Sequence, residues 1–443
     1  MFGYSMVQMV RANATKLDRP LRENVLQLYR PLKWTPCFMH RQFEDRLLQS
    51  KKISVLIEFE KECHKNGYHT ISTIVGSQKG NTLRHNFTRT GFCSADLTPL
   101  TLQKLLTNCQ DIRKIYLNRK VNTLLDIGVQ SSHAKEVVRN NQTLTGKGVT
   151  IAVIDTGIHP HADLKGRIRG FVDFISHKKE PYDDNGHGTH CAGDVAGNGE
   201  SSSGQYKGPA PEADLIGVKV LNKMGSGSLE TIIQGIEWCM EFNEQYPDDP
   251  IDIISMSLGS EALNYENEQE DPMVKAVEEA WNSGITVCVA AGNSGPEPKT
   301  ISSPGISGKV ITVGAFDDRD TEGASDDGVA SFSSRGPTIY GKNKPDILAP
   351  GVNIISLRSP NSYLDKLQKS ARVGTAYMTM SGTSMATPIC AGIAALILQQ
   401  KPDAGPNEVK RLLIEGAALP EGIADPNVFG AGFIHAENSI PAD

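Results

Sequence analysis

No stretch of this 443-residue chain comes near the roughly 20 consecutive apolar residues of a membrane-spanning helix. No membrane partner is therefore expected. The first residues, Met1 to Val10, are moderately apolar, but no basic residue precedes them and no small-residue cleavage pattern follows, so no secretory signal is read. Charge of one sign is also lacking. A net charge of -6, from 45 basic and 51 acidic residues intermixed along the chain, argues against a nucleic-acid footprint. The eight cysteines lack metal-type spacing, and Cys288 and Cys390 fall in apolar slots where a free thiol behaves as a small hydrophobe. With no signal read, this cysteine usage points to a reducing compartment, and the expected location is cytoplasmic.

What is present is enough chain for two or three domains with an ample core. Residues 1–50 are rich in Arg, Lys, Leu and Met and broken by Pro20, Pro31 and Pro36, which suggests short helices and a connecting arm. From 51 the pattern changes. Ile53 to Phe59 alternates as a strand, a polar stretch of helical character leads toward the apolar run Ile71 to Val75, and Phe92 to Leu97 follows. A helix opens at Thr98-Pro99 with Leu102, Leu105, Leu106 and Cys109 on one face, and Ile112 to Leu117 reads as a further strand. Residues 51–125 thus form a compact α+β module, and 126–145 a linker.

From 146 to the end at 443, strand runs alternate with helical patterns. Strands are expected at 149–154, 215–221, 251–258, 285–290 and 310–315, and helices at 189–196, 229–243 and 272–282, the last with Asp271 as N-cap. This alternation implies an α/β fold with a mostly parallel sheet covered by helices on both faces. Sites in such sheets gather at the carboxyl ends of the strands.

Four places carry residues suited to chemistry. Asp155 ends the first strand, where an acid after a buried run needs a partner. His187 stands between two glycines in Asp184-Asn185-Gly186-His187-Gly188-Thr189-His190. It reads either as a general base with His190 packed, or with His190 and Asp183 or Asp184 as metal ligands. Asn293, flanked by Gly292 after a strand, is a turn residue or a neutral donor for developing negative charge. Ser384, in Ser381-Gly382-Thr383-Ser384-Met385-Ala386-Thr387-Pro388, precedes an apolar run of helical period, and Pro388 suits a first helical turn. Such a serine lies where helix N–H groups and dipole favour negative charge.

Around Asp155, His187, Asn293 and Ser384 the sequence resembles the subtilisin-like serine proteases (subtilases), in which the order is Asp, His, Ser. The likeness extends over roughly residues 146–436. An α/β-hydrolase would run Ser, acid, His and is excluded by that order. The resemblance implies a serine endopeptidase that acts on protein and peptide substrates and uses no cofactor for its chemistry. It implies Ser384 as nucleophile, His187 as general base and acid, Asp155 as its partner and Asn293 in the oxyanion hole. It further implies a substrate groove between Gly225-Ser226-Gly227 and Ser257-Leu258-Gly259, with Ser257 to Gly259 and Ala290-Ala291-Gly292 walling a roomy S1 slot for large apolar P1 residues. Asp163 matches a position that binds structural calcium in many relatives. The acidic stretch 260–271 departs from the simplest members and reads as a solvated loop. The module at 51–125 is similar to the family's inhibitory pro-domains. Its tail, Val121 to Leu125, is expected in the cleft and cut after Leu124 or Leu125. A non-catalytic scaffold that kept this fold is the alternative of a different class.

Overall fold

The computed structural model describes residues 5–28, 47–60, 63–78, 80–118, 120–123, 134, 137–319, 328–419 and 425–442. The chain divides into two compact units, Met1–Arg119 and Lys120–Asp443.

In the first unit an antiparallel sheet runs in the order Thr82–Phe87, Phe92–Leu97, Ile53–Phe59, Ile112–Leu117. Helices His64–Gly76 and Pro99–Asn108 accompany it, the second capped by the Thr98 side chain on the Thr101 N–H. Ile71 and Val75 belong to the buried face of the first helix: their spacing of four is helical, and Gly67 continues the stripe. The strand Thr82–Phe87 was not legible because most of its residues are exposed and polar. Helices Ser5–Ala12 and Arg19–Gln27 do not stand apart as an arm. Met9, Val10, Leu17, Leu21 and Val25 share one core with Val55, Ile57, Leu102 and Ile115.

The second unit is built on an eight-stranded sheet. Its order is Gly328–Val329, Ile311–Asp317, Thr286–Ala290, Ile253–Met256, Thr150–Asp155, Asp214–Lys219, Ile168–Asp173, and Ile347–Pro350 also pairs with Ile311–Asp317. Every pairing is parallel except that of the edge strand Gly328–Val329. Strands buried on both faces read as continuous apolar runs, and all of Thr150–Asp155 and Thr286–Ala290 is buried. Helix His187–Ala196 packs with Thr383–Gln400, and Leu229–Gln245 with Pro272–Asn282, covering the sheet. Asp271 caps the last of these as expected, accepting from the Met273 N–H at 2.9 Å.

Two small sheets frame the sheet's carboxyl end. Tyr377–Met380 pairs with Ile354–Leu357 and Arg372–Val373 and delivers the chain to Ser384. Lys120–Thr123 lies antiparallel between Ser226–Ser228 and Leu258–Gly259. The helix Thr383–Gln400 is buried from Thr383 to Leu398, as an apolar helix crossing the interior must be. Pro388 is not in its first turn. It is the sixth helical residue, and the N–H it lacks would have bonded the carbonyl of Ser384.

Candidate active site

Asp155 and His187 meet because strand Thr150–Asp155 ends where helix His187–Ala196 begins. Gly186, at φ 106°, makes the left-handed turn into that helix. The Asp183 carboxylate ties the turn by accepting from the N–H groups of Asn185, Gly186 and Thr189. His187 Nδ1 lies 2.7 Å from Asp155 Oδ1, and both side chains are fully buried. With Nδ1 as donor to the carboxylate, Nε2 is the basic nitrogen, and among the described residues it has no hydrogen-bond partner. Burial by itself lowers the imidazole's pKa. Asp155 beside it, with Asp183 and Asp194 further off, outweighs burial and raises the pKa above the ordinary value.

Cys191, one turn further along the helix, joins this pair to Ser384. Its Sγ is 3.8 Å from His187 Nδ1, 4.0 Å from Asp155 Oδ2 and 3.5 Å from the Ser384 carbonyl. That carbonyl, released by Pro388, also accepts from Ser257 Oγ at 2.7 Å, and Ser384 Oγ donates to the Ser257 carbonyl at 3.3 Å. On the other side, Asn293 Oδ1 accepts from both the N–H and the hydroxyl of Thr383, each at 3.0 Å. With its oxygen so held, the amide nitrogen Nδ2 has a fixed direction, and it too is buried without a partner among the described residues. The structure thus gathers an acid, an imidazole, a serine at a helix N-terminus and an oriented amide from segments far apart in sequence.

Residues 146–432 match the subtilase family. The chain is a subtilase. It is 68% identical to serine protease AprX of Bacillus subtilis over the whole of both chains. It is also 35% identical to the thermostable alkaline protease of Halalkalibacterium halodurans, over 80% of this chain and 84% of that one. In fold it resembles fervidolysin of Fervidobacterium pennivorans, with a TM-score of 0.68 at 20% identity. The match covers 88% of this chain and 61% of the other. The chain is a serine endopeptidase.

The metal reading of His187 does not fit this subtilase. His190 is committed to Asp194 at 2.9 Å and to the carbonyls of Ile354 and Met378 at 3.2 Å, while Asp184 pairs with the buried Lys219. Among the described residues, Asp155, His187 and Cys191 are the one trio close enough to share an ion. Burial, reinforced by the fields of Asp155 and Asp194, drives the Cys191 pKa far up, and its sulfur already lies against the Ser384 carbonyl at 3.5 Å. Calcium on Asp163 fits poorly as well. Its carboxylate is buried against hydrogen-bond donors, the Ser201 N–H at 2.9 Å and the Tyr377 hydroxyl at 2.6 Å, where a cation needs oxygen acceptors. Burial opposes the ionised form, but the Ser201 hydroxyl, the Tyr377 hydroxyl and the Ser201 N–H, helped by His161, outweigh it and hold the Asp163 pKa below the usual range.

The two segments expected to flank a substrate form strands Ser226–Ser228, entered by a turn at Gly225, and Leu258–Gly259. Ser257 and Ala290 to Gly292 lie close by at the sheet's carboxyl end. The sequence did not single out Ser302 and Ser303. Ser302 packs against Gly292, where a Cβ would meet its Oγ at 2.3 Å, and Ser303 pairs with Ser260. The acidic stretch is not a solvated loop throughout. Glu268, Glu270 and Asp271 are buried, and Glu268 pairs with Lys342 at 2.6 Å and with the Gly308 N–H. Glu261 and Glu266 are exposed.

Proposed function

We propose that this endopeptidase cleaves peptide bonds by acyl transfer at Ser384, with His187 and Asp155 completing a triad and Asn293 as an oxyanion donor. The carrying observation is a pair of buried nitrogens without partners among the described residues, His187 Nε2 and Asn293 Nδ2, each on a side chain whose other polar atom is firmly held. A buried polar atom left unpaired costs free energy, and a substrate offers each of these a partner. Ser384 Oγ exchanges its bond to the Ser257 carbonyl for one to Nε2 and attacks the scissile carbonyl carbon, while its proton passes to Nε2. Charge then develops on the substrate oxygen, opposite Asn293 Nδ2 and the N–H of Ser384 in the first turn of its helix. Collapse expels the amine, which takes the proton from Nε2, and water repeats the sequence on the acyl-enzyme. Asp155 holds the Nδ1–H tautomer and stabilises the imidazolium.

The substrate lies between the edges Ser226–Ser228 and Leu258–Gly259 as an added strand. The small walls at Ser257 to Gly259 and Ala290 to Gly292 suit a large apolar P1 side chain. The strand Lys120–Thr123, paired with both edges, supports a chain that occupies its own groove. The pairs Gly259 with Asn122 and Leu258 with Thr123 run toward Ser257, the neighbour of Ser384. The proposed processing cut, after Leu124 or Leu125, falls on residues that lie outside the described ones. All seven described cysteines are free, which supports a cytoplasmic location. No described helix is long and apolar enough to cross a membrane. Cleavage of peptides varied at P1 tests the slot: a preference for Leu or Phe over Lys or Glu is expected, and equal rates would remove it. For the triad, His187→Ala is expected to abolish peptide hydrolysis while leaving the chain folded.

A further inference from the structure

The turn before His187 is held from outside by a loop that the reading above does not use. Between strands Ile354–Leu357 and Arg372–Val373 the chain runs out over residues 358–371, with a short helix at Tyr363–Leu367. Ser359 Oγ donates to the Asp183 carbonyl at 2.7 Å, the Tyr363 N–H to the Asp184 carbonyl at 2.8 Å, and the Leu364 N–H to the Asn185 carbonyl at 2.9 Å. Successive carbonyls leading into Gly186 are thus bound by one loop. Ser362 closes the same contact, since a Cβ on Gly186 would meet its Oγ at 2.7 Å. The Asn185 side chain passes the constraint on by accepting from the His187 N–H at 3.1 Å.

The loop has its own lock. Asp365 is 1% exposed, and its carboxylate accepts from Arg358, from Arg372 at 2.7 Å and from the Asn361 N–H at 2.9 Å. Arg372 also bonds the Asp365 carbonyl, and Arg358 the Thr375 carbonyl, so the carboxylate ties the two ends of the excursion together. A buried carboxylate between two guanidinium groups holds geometry only while both partners remain, because removing its charge leaves two part-buried cations unpaired.

We propose that Asp365 is a positioning residue for His187: it locks residues 358–371 onto the Asp183–Asn185 turn and so fixes the imidazole against Asp155. The proposal rests on His187 being the general base. Loosening the turn lets the Asp155 contact lengthen and misdirects Nε2, which lowers the rate of the acyl-transfer step while the substrate edges stay intact. The groups that face His187 are Asp155 on the strand, Cys191 and Asp194 on its own helix, and Asp183 in the turn. None of them lies in the loop.

The test compares Asp365→Asn with the parent, both counted by active-site titration with a serine-directed phosphonylating reagent. The expected result on a short peptide substrate is a 10- to 100-fold fall in kcat per active site with KM within twofold, and an acid limb of the pH profile shifted downward. A merely structural role would reduce the number of titratable sites and leave both per-site quantities unchanged; that result overturns the proposal. If Asp365→Asn yields no folded protein, Ser359→Ala removes only the bond to the Asp183 carbonyl. It is expected to lower kcat two- to fivefold with KM unchanged, and an unchanged kcat counts against the proposal. His187→Ala runs alongside. Full activity in that variant would sink the triad itself, whereas an inactive His187→Ala beside a fully active Asp365→Asn sinks the positioning role alone.

Discussion

At the scale of single residues the account turns on which polar atoms are held and which are left waiting. Asn293 has its oxygen fixed by Thr383 and its nitrogen unpaired among the described residues. Its conversion to Ala is therefore expected to lower kcat by about 10²–10³ with little change in KM, since the lost donor acts on charge present only in the transition state. His187 makes a pH prediction whose sign follows from its surroundings. Asp155, Asp183 and Asp194 together outweigh burial and raise its pKa, so the imidazole keeps its proton longer on titration toward base. Because the base must be neutral to act, kcat/KM should rise with pH through a midpoint above the ordinary histidine value of about 6.5. Asp155→Asn should bring that midpoint down, and a profile insensitive to this change would contradict the assignment.

At the scale of elements, the helix Thr383–Gln400 illustrates how sequence and structure divide the explanation. Its apolar run, the small residues around Ser384 and the presence of Pro388 were legible in the sequence. The use made of Pro388 was not, because it depends on Ser257 and Cys191 arriving from other elements to bond the carbonyl the proline releases. Ser257→Ala leaves that buried carbonyl with a thiol as its main partner, and should cost about 1–3 kcal/mol in urea unfolding. The parallel strands were legible for a physical reason: buried on both faces, they appear as unbroken apolar runs. Ile168–Asp173, half-buried at the sheet edge and interrupted by Arg169 and Gly170, gave no such signal. The same blindness applies to Asp365, whose importance lies in partners and not in any motif. Burial works against its charge, but Arg358, Asn361 and Arg372 outweigh it and hold the carboxyl at about 2. Its depressed pKa contributes stability that is complete above the unfolded carboxylate value of about 3.9 and is lost as pH falls through 2. Acid unfolding followed by circular dichroism should thus begin at higher pH in Asp365→Asn than in the parent.

At the scale of the whole molecule, four separated segments meet at the proposed site because a parallel sheet brings its strand ends to one side. Asp155, His187, Asn293 and Ser384 could be named from the sequence, since each stands in a distinctive local pattern. Their arrangement through Cys191, Thr383 and Ser257 could not, since those contacts join residues with no common pattern. The strand Lys120–Thr123 on the edges of the proposed groove predicts latency: the 48.0 kDa chain should show a lag in peptide hydrolysis that ends as the bond after Leu124 or Leu125 is cut, while Ser384→Ala stays uncut. Amino-terminal sequencing of active enzyme would check the position. The most direct test of the central claim is to treat the active enzyme with a serine-directed phosphonylating reagent and map the adduct by mass spectrometry. One adduct per chain, on Ser384, with activity lost in proportion and none formed in Ser384→Ala, is the predicted result. An adduct on another residue, or peptide hydrolysis undiminished in Ser384→Ala, would contradict it.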